Sequence, residues 1–519
     1  MFRDESSKVI QKAHAQWGSS GPSPIEVGRI SAPASDSVPS SDDPASTLAE
    51  APSASAPPSP MPFSTPIERW AGQPPSAASD GPSSPPRNLV PARIPRKVDF
   101  NIEQRGLHFY ISRYLVGHPD SPRTHEQVAG YFLAAANTAQ NVMVAVGLAG
   151  MSNVLGDRGI NMLSRSKYVT ALKDTGKLLA TVERTGLIPR IRSVIALALF
   201  EVVQGRGPKG TVGSASTHIN GALAVLRSVL PLPHSPYGGA HGALQLLFSM
   251  FIPYQMINEP LPPVFFETLR FSKELMNGSP GSCTVDLALA VAQVLQLSSI
   301  VENTALTDGS SATDNLVQQL LILDDVFESL EARLFEAFPF TENQGEYPPE
   351  AVFRGKWHGY REVWGARTWN HYRWGRILAN RRLVQLINDY PASSRKFAPA
   401  GRRKQCYDMI ERLAEGVLIS TPSHWYHPTL SAEVTKKFES KGQGGSGAVG
   451  LPSLLWQLTA AGCAPNVPLE FWQWAYNVLQ VVWKQMGMLH ALALSEVMQE
   501  HRARLEKAAI NHRLELEGD

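Results

Sequence analysis

From about Asp99 onward, apolar residues return every three to four positions, and this period constrains the fold more than any other feature of the chain. "THEQVAGYFLAAANTAQNVMVAVGLAG" (124–150) keeps the amphipathic period throughout. "SRSKYVTALKDTGKLLATVERTG" (164–186) follows, with Ser164 placed as an N-cap and Gly186 just past the end. "IRSVIALALFEVVQG" is apolar nearly all round and belongs inside. "STHINGALAVLRSVLP" opens on Ser and Thr and stops at Pro231. Four helices on short Gly/Pro links predict stacked antiparallel pairs. The same pattern continues through "DLALAVAQVLQLSSIVE", "NLVQQLLILDDVFESLEARLFEAF", "YREVWGARTWNHYRWGRILANRRLVQLI" and "PLEFWQWAYNVLQVVWKQMGMLHALALSEVMQEH". Alternating strand patterns bounded by hairpin turns are scarce, so the fold class is all-α. Three stretches interrupt it: "ENQGEYPPEAV", "YPASSRKFAPAGRRK" and "ESKGQGGSGAVG", the last with the composition of a mobile loop.

Residues 18–98 have the opposite texture, Pro, Ser, Ala and Gly with scattered acids. Such a segment buries too little apolar surface to offset the entropy of ordering it, and it is expected to be a disordered linker. It closes on "RIPRK" (93–97), which has the composition of a surface basic cluster or a nuclear-import signal. Ahead of it, "MFRDESSKVIQKAHAQW" (1–17) spaces Phe2, Val9, Ile10, Ala13 and Trp17 as on a short helix. The expected organisation is therefore 1–17, a short amphipathic piece; 18–98, linker; 99–500, helical domain; and 501–519, a charged helix end or tail.

With 43% hydrophobic residues the chain can build a sizeable core, and a formal charge of +2 gives no general cationic coat for nucleic acid or membrane. The most apolar runs carry Glu201, Gln293 and Gln296 and read as buried helices rather than bilayer spans. Cys283, Cys406 and Cys463 lie far apart and form no C-x-x-C pair, so neither a zinc site nor a disulfide framework is legible.

The sharpest enzyme candidate is "LDDVFESLEARLF", where Asp324, Asp325 and Glu328 fit the D-D-x-x-D/E pattern on which class I terpene cyclases hold magnesium. The second metal helix of such enzymes is missing: Asn388 and Asp389 are followed by Pro391 and no suitably spaced Glu. An acidic turn on a solvated helix face is the preferred reading. His424 and His427 in "HWYH" stand three apart without a third ligand and read as core or surface histidines. "GRGPKGTVGS" lacks the order of a phosphate-binding loop. Trp357, Tyr360, Trp364 and Tyr372 are expected on one helix face, as are Trp472, Ala475, Leu479, Val482, Met486 and Leu489 on another. Arg361, Arg367, Arg373, Arg376, Arg381 and Arg382 interleave with the first set. The pattern allows base stacking, but packing with the cationic heads reaching out to solvent is preferred.

Taken in order, these helices resemble the regulatory domain of fungal zinc-cluster transcription factors. "THINGALAVL" is similar to that family's H-x-x-G-A element at His218, Gly221 and Ala222, with Ala215 where a tryptophan is expected. "ARTWNHYRWGRI" is similar to its W-N-x-Y-R…R-I element at Trp369, Asn370, Tyr372, Arg373, Arg376 and Ile377. "LPSLLWQLTAAG" and "MGM" (486–488) resemble the closing helices, and "FRDES" resembles the stretch that follows the cluster.

The resemblance implies a nuclear regulator of RNA polymerase II transcription with no catalytic, cofactor-binding or metal-ligating residues. Its partners would be the transcription machinery or co-regulators, a second copy of the chain and a small-molecule effector, with no membrane. The family reads DNA through six cysteines on two zinc ions, and three scattered cysteines cannot supply them. DNA contact and zinc are accordingly expected only through an upstream cluster or a partner, and Met1 is expected to be an internal methionine of a longer frame or the remnant of a gene that lost its first exon. The competing classes are a metal-dependent terpene-cyclase-like enzyme on Asp324, Asp325 and Glu328, and a helical scaffold or effector-binding protein.

Overall fold

A helix in which every residue from Thr368 to Asn380 is buried has to be surrounded on all sides, and the architecture is organised around that helix. The computed structural model describes residues 101–115, 139–180, 187–205, 263–276, 282–361, 363–438 and 447–517, with a few single positions between 214 and 261. The chain divides into two units, Met1–Arg93 and Ile94–Asp519, and all described residues lie in the second. The expected opening helix and linker lie outside the described residues, as do 439–446 and most of "STHINGALAVLRSVLP" and "GRGPKGTVGS".

In chain order the helices are α1 (Ile102–Phe109), running into a π turn (Tyr110–Leu115), α2 (Ala139–Leu155), α3 (Arg158–Ala180), α4 (Leu187–Gln204), α5 (Pro263–Met276), α6 (Ser282–Asn303) and α7 (Ser311–Ala337). A two-stranded hairpin, β1 (Phe340–Gln344) and β2 (Lys356–Tyr360), separates these from α8 (Val363–Asp389). Then come α9 (Pro391–Phe397), α10 (Arg402–Ser420), α11 (Ala432–Phe438), α12 (Gly447–Gly462), α13 (Leu469–Met486) and α14 (Leu489–Glu517). Among the described residues the fold is all-α apart from that hairpin.

Local chemistry explains most boundaries. Pro391 ends α8 and opens α9 from its first turn, the position where a missing N–H costs nothing. Gly487, at φ 66°, closes α13 with its N–H on the Trp483 carbonyl and starts α14 two residues later. Leu489 of the expected apolar stripe therefore sits on α14, while Ala475, Leu479, Val482 and Met486 are buried on α13. Ser164 is not a cap. α3 begins six residues earlier, and Ser164, fully buried, donates to the Ala145 carbonyl at 2.9 Å. That bond, with Asn141 to Asp174 and Asn161 to Ser152, pairs residues in descending order along α3 as they ascend along α2. The first pair is thus antiparallel, as expected from the sequence.

Around α8 pack α6, α7, α10 and α12. α6 is long and apolar enough to cross a membrane by length and composition, but 72% of its apolar window is buried here. α12 carries α13 and α14, and α14 and α12 reach back to α4, so one continuous apolar core links the early and late helices.

The hairpin is the departure from the sequence reading. Trp357 and Tyr360 lie on β2, not on a helix, with Phe340 opposite Tyr360 in an antiparallel register. Its five-residue strands carry no alternating pattern long enough to stand out. They hold by tertiary packing: the Phe340 ring meets Trp369 at 5.0 Å and Tyr360 at 5.4 Å.

Candidate functional site

Three arginines of α8 do not snorkel, whereas Arg381 is exposed. Arg373 and Arg376 are 4% and 1% exposed, and Arg382 is buried as well. Each is turned toward partners from other elements, which corrects the expectation of heads in solvent.

Arg376 lies at the centre of the larger network. Its Nε donates to Asp324 Oδ1 at 2.9 Å, and its Nη1 donates to Glu331 Oε2 at 3.1 Å and to the Tyr372 hydroxyl at 2.9 Å. Asp324 also accepts from Asn380 Nδ2 at 2.7 Å and from Arg402 Nη2 at 2.6 Å. Glu331 accepts from Tyr372 and from both terminal nitrogens of Arg412. Burial pushes the Glu331 carboxyl up, but the bonds from Arg412 and Tyr372 and the two guanidinium charges hold it below the usual range. The network ties α7, α8 and α10 together through charge-assisted bonds.

The acidic turn of α7 is therefore not solvated as a whole. Asp324 is 2% exposed, while the side chain of Glu328 is 71% exposed. A magnesium-binding D-D-x-x-E turn needs all three carboxylates free on one face, whereas here the first already holds two guanidinium groups and an amide. Asn388 and Asp389 end α8 on an exposed turn and do not join it. Among the described residues no three of His, Cys, Asp and Glu gather as metal ligands would.

Arg373 forms a second cluster with a different balance. It donates to the Tyr360 hydroxyl at 2.9 Å and to Asn370 Oδ1 at 2.8 Å, with His358 Nδ1 at 3.2 Å. Its guanidinium lies 5.4 Å from the Phe340 ring and 5.5 Å from the Trp369 ring, and no carboxylate pairs with it among the described residues. Asn370 in turn accepts from Ser420 and donates to His424 Nε2. Burial, with the nearby arginines, lowers His358 to about 2 and His424 to about 3, so both are neutral acceptors at pH 7. His427, also buried, bonds Thr429 instead, so the two histidines of "HWYH" serve separate contacts.

Of the first H-x-x-G-A element, His218 meets the Tyr168 hydroxyl at 2.8 Å, and Tyr168 donates to Glu201 at 2.6 Å. That chain of bonds joins α3 and α4. The three cysteines are buried free thiols, and burial pushes Cys406 up to about 11 and Cys463 up to about 12.

One concave site was not legible beforehand. A half-open pocket of about 410 Å³ lies where the end of α8 meets α13, α14 and the link that joins α12 to α13. Arg381, Val384, Gln385 and Asn388 supply one helix face, at spacings of three and four. Trp472, Leu469, His501, Arg502 and Leu505 supply the opposite wall, and Tyr407 of α10 closes one side. Burial, with the charges of Arg381 and Arg504, lowers His501. Periodicity marks each of these faces separately, but it cannot show that five segments converge.

No protein-family model, no curated protein and no solved structure matches this chain.

Proposed function

We propose that this chain is the regulatory domain of a nuclear transcription regulator of the fungal zinc-cluster type. The observation that carries this reading is where the W-N-x-Y-R…R-I residues stand. Trp369, Asn370, Tyr372, Arg373, Arg376 and Ile377 are all buried, and the polar ones bind α7, α10 and the hairpin to α8. A sequence element whose side chains set the geometry of several helices is what a recurring family signature would have to protect. His218 plays the same part between α3 and α4.

On this reading the domain contacts co-regulators or the transcription machinery, and DNA is reached through a zinc cluster upstream or through a partner. Sequence-selective readout needs side chains placed against base edges, and Arg373, Arg376 and Arg382 of α8 are committed to the core.

The experiment is a tethering assay. Residues 94–519, fused to a heterologous DNA-binding domain in fungal cells, should change transcription of a reporter that carries the matching site. A reporter indistinguishable from that of the DNA-binding domain alone overturns the reading. So would magnesium-dependent diphosphate release from a prenyl diphosphate by the purified chain.

A further inference from the structure

The pocket at the end of α8 has walls of two kinds. Its basic lining is Arg381, His501 and Arg502, and no aspartate or glutamate stands among the lining residues, whose other ionisable groups are the Tyr407 hydroxyl and the Cys463 thiol. Arg381 is exposed, and among the described residues it forms neither a hydrogen bond nor an ion pair; the nearby Glu302 is engaged by Arg382 instead. Among the described residues Arg502 pairs with Glu506 alone, one turn along the same helix, with Arg502 half-buried and Glu506 exposed. Exposed pairs of that kind contribute little, so an incoming anion displaces it at small cost. The result is two guanidinium groups with open donor capacity beside one cavity.

The remaining wall is apolar and fixed in place. The Trp472 indole donates to the Met498 carbonyl at 3.2 Å and stacks on Tyr476 with ring centres 5.0 Å apart. Val384 is buried behind the site, and Leu469 and Leu505, each 53% exposed, stand at its rim with apolar surface left to cover. The link that floors the site reads Cys463-Ala464-Pro465-Asn466-Val467-Pro468, and two prolines limit its freedom. Asn466 within it is held at φ 62°, a left-handed conformation that Asn tolerates and that packing must maintain. The volume falls within the range of sites that enclose small molecules.

We propose that this pocket binds a small organic carboxylate, its anionic end on Arg381 and Arg502 and its aromatic or branched body against Trp472, Val384, Leu469 and Leu505. Guanidinium groups suit this role because their donors match both oxygens of a carboxylate at once. The chemistry of the site stands apart from the regulatory reading; only its naming as an effector site rests on that reading.

Isothermal titration calorimetry on the full chain tests it, with 1-naphthoate as the probe. Neutral 1-naphthamide and inorganic phosphate are the controls. Saturable one-to-one binding of naphthoate within about 5 mM is expected, a range ordinary for a probe of this size. Arg381→Ala should weaken it at least about tenfold, and naphthamide and phosphate should bind markedly less well. Arg381 has no partner to orphan, so the variant should keep its melting temperature; Trp472→Phe, which trims the apolar wall, gives a second and independent loss. Three results overturn the proposal: no naphthoate binding, binding that naphthamide shares and Arg381→Ala leaves intact, or phosphate binding as tight as naphthoate. None of these measurements needs transcription, so their failure leaves the tethering assay untouched, and a silent reporter leaves the pocket untouched.

Discussion

Asp324 and Glu328 lie one helical turn apart in the same acidic run, yet they face opposite fates. Asp324 accepts from Arg376, Arg402 and Asn380 at 2% exposure, so removing it takes the buried carboxylate from two guanidinium groups and leaves Arg376 with Glu331 and Glu328. Breaking a buried ion pair from one side typically costs about 3–5 kcal/mol, and Asp324→Ala should lose that much in urea unfolding. Glu328→Ala, at a side chain 71% exposed, should change stability by less than about 0.5 kcal/mol. Equal losses in the two variants would mean that the network does not discriminate them. Sequence reading saw the acidic turn and the arginines but assigned both to solvent. It could not do otherwise, because each partner of Asp324 lies more than fifty residues away, and burial of a charge depends on that partner.

At the scale of elements, the helices were legible and their contacts were not. α6, α8 and α13 follow the apolar period and Pro391 marks the break after α8, but the period reads through the break at Gly487 and puts Leu489 on the same helix as Met486. The hairpin was missed because "FTENQ" and "KWHGY" gain their strand form from Trp369 and Arg373 beneath them, not from their own pattern. Gly487 was seen as part of a motif, but its packing role comes from elsewhere: a Cβ there would sit 2.2 Å from the Gly150 carbonyl oxygen on α2. Gly487→Ala adds that clash with backbone to a left-handed φ, and should cost about 2–4 kcal/mol. Gly176 on α3 is the control. A Cβ there meets nothing within 4 Å, so Gly176→Ala should stabilise by about 0.5–1 kcal/mol. Thermal melts of the two variants should move in opposite directions. If both moved down, α3 would have to be packed where it now lies open.

The whole molecule carries a pH dependence that no single element reveals. His358, His371, His424 and His490 sit on β2, α8, the 3₁₀ turn after α10, and α14, and burial lowers them to about 2, 3, 3 and 4. His358 and His424 also feel Arg373, and His371 and His424 feel Arg367. In the unfolded chain each imidazole titrates near 6.5. Below that pH the unfolded state binds protons that the folded state refuses, so the histidine contribution is fully present above about 6.5 and is lost as pH falls toward 4. Each group can remove at most about 1.4 kcal/mol per pH unit across that window. Four together make the slope steep, and the melting temperature should be nearly level from pH 8 to 7 and drop several degrees between 6.5 and 5.5. Carboxylates do not account for such a drop, because Glu331, Asp308 and Asp314 are all held low and take up protons only under more acid conditions. His490→Gln separates the causes. It removes one refused proton, and the slope of unfolding free energy against pH should fall by one histidine's share while the slope above pH 7 stays level. A melting temperature unchanged from pH 7 to 5 would mean that these imidazoles titrate as freely in the fold as out of it, which a core closed around α8 does not permit.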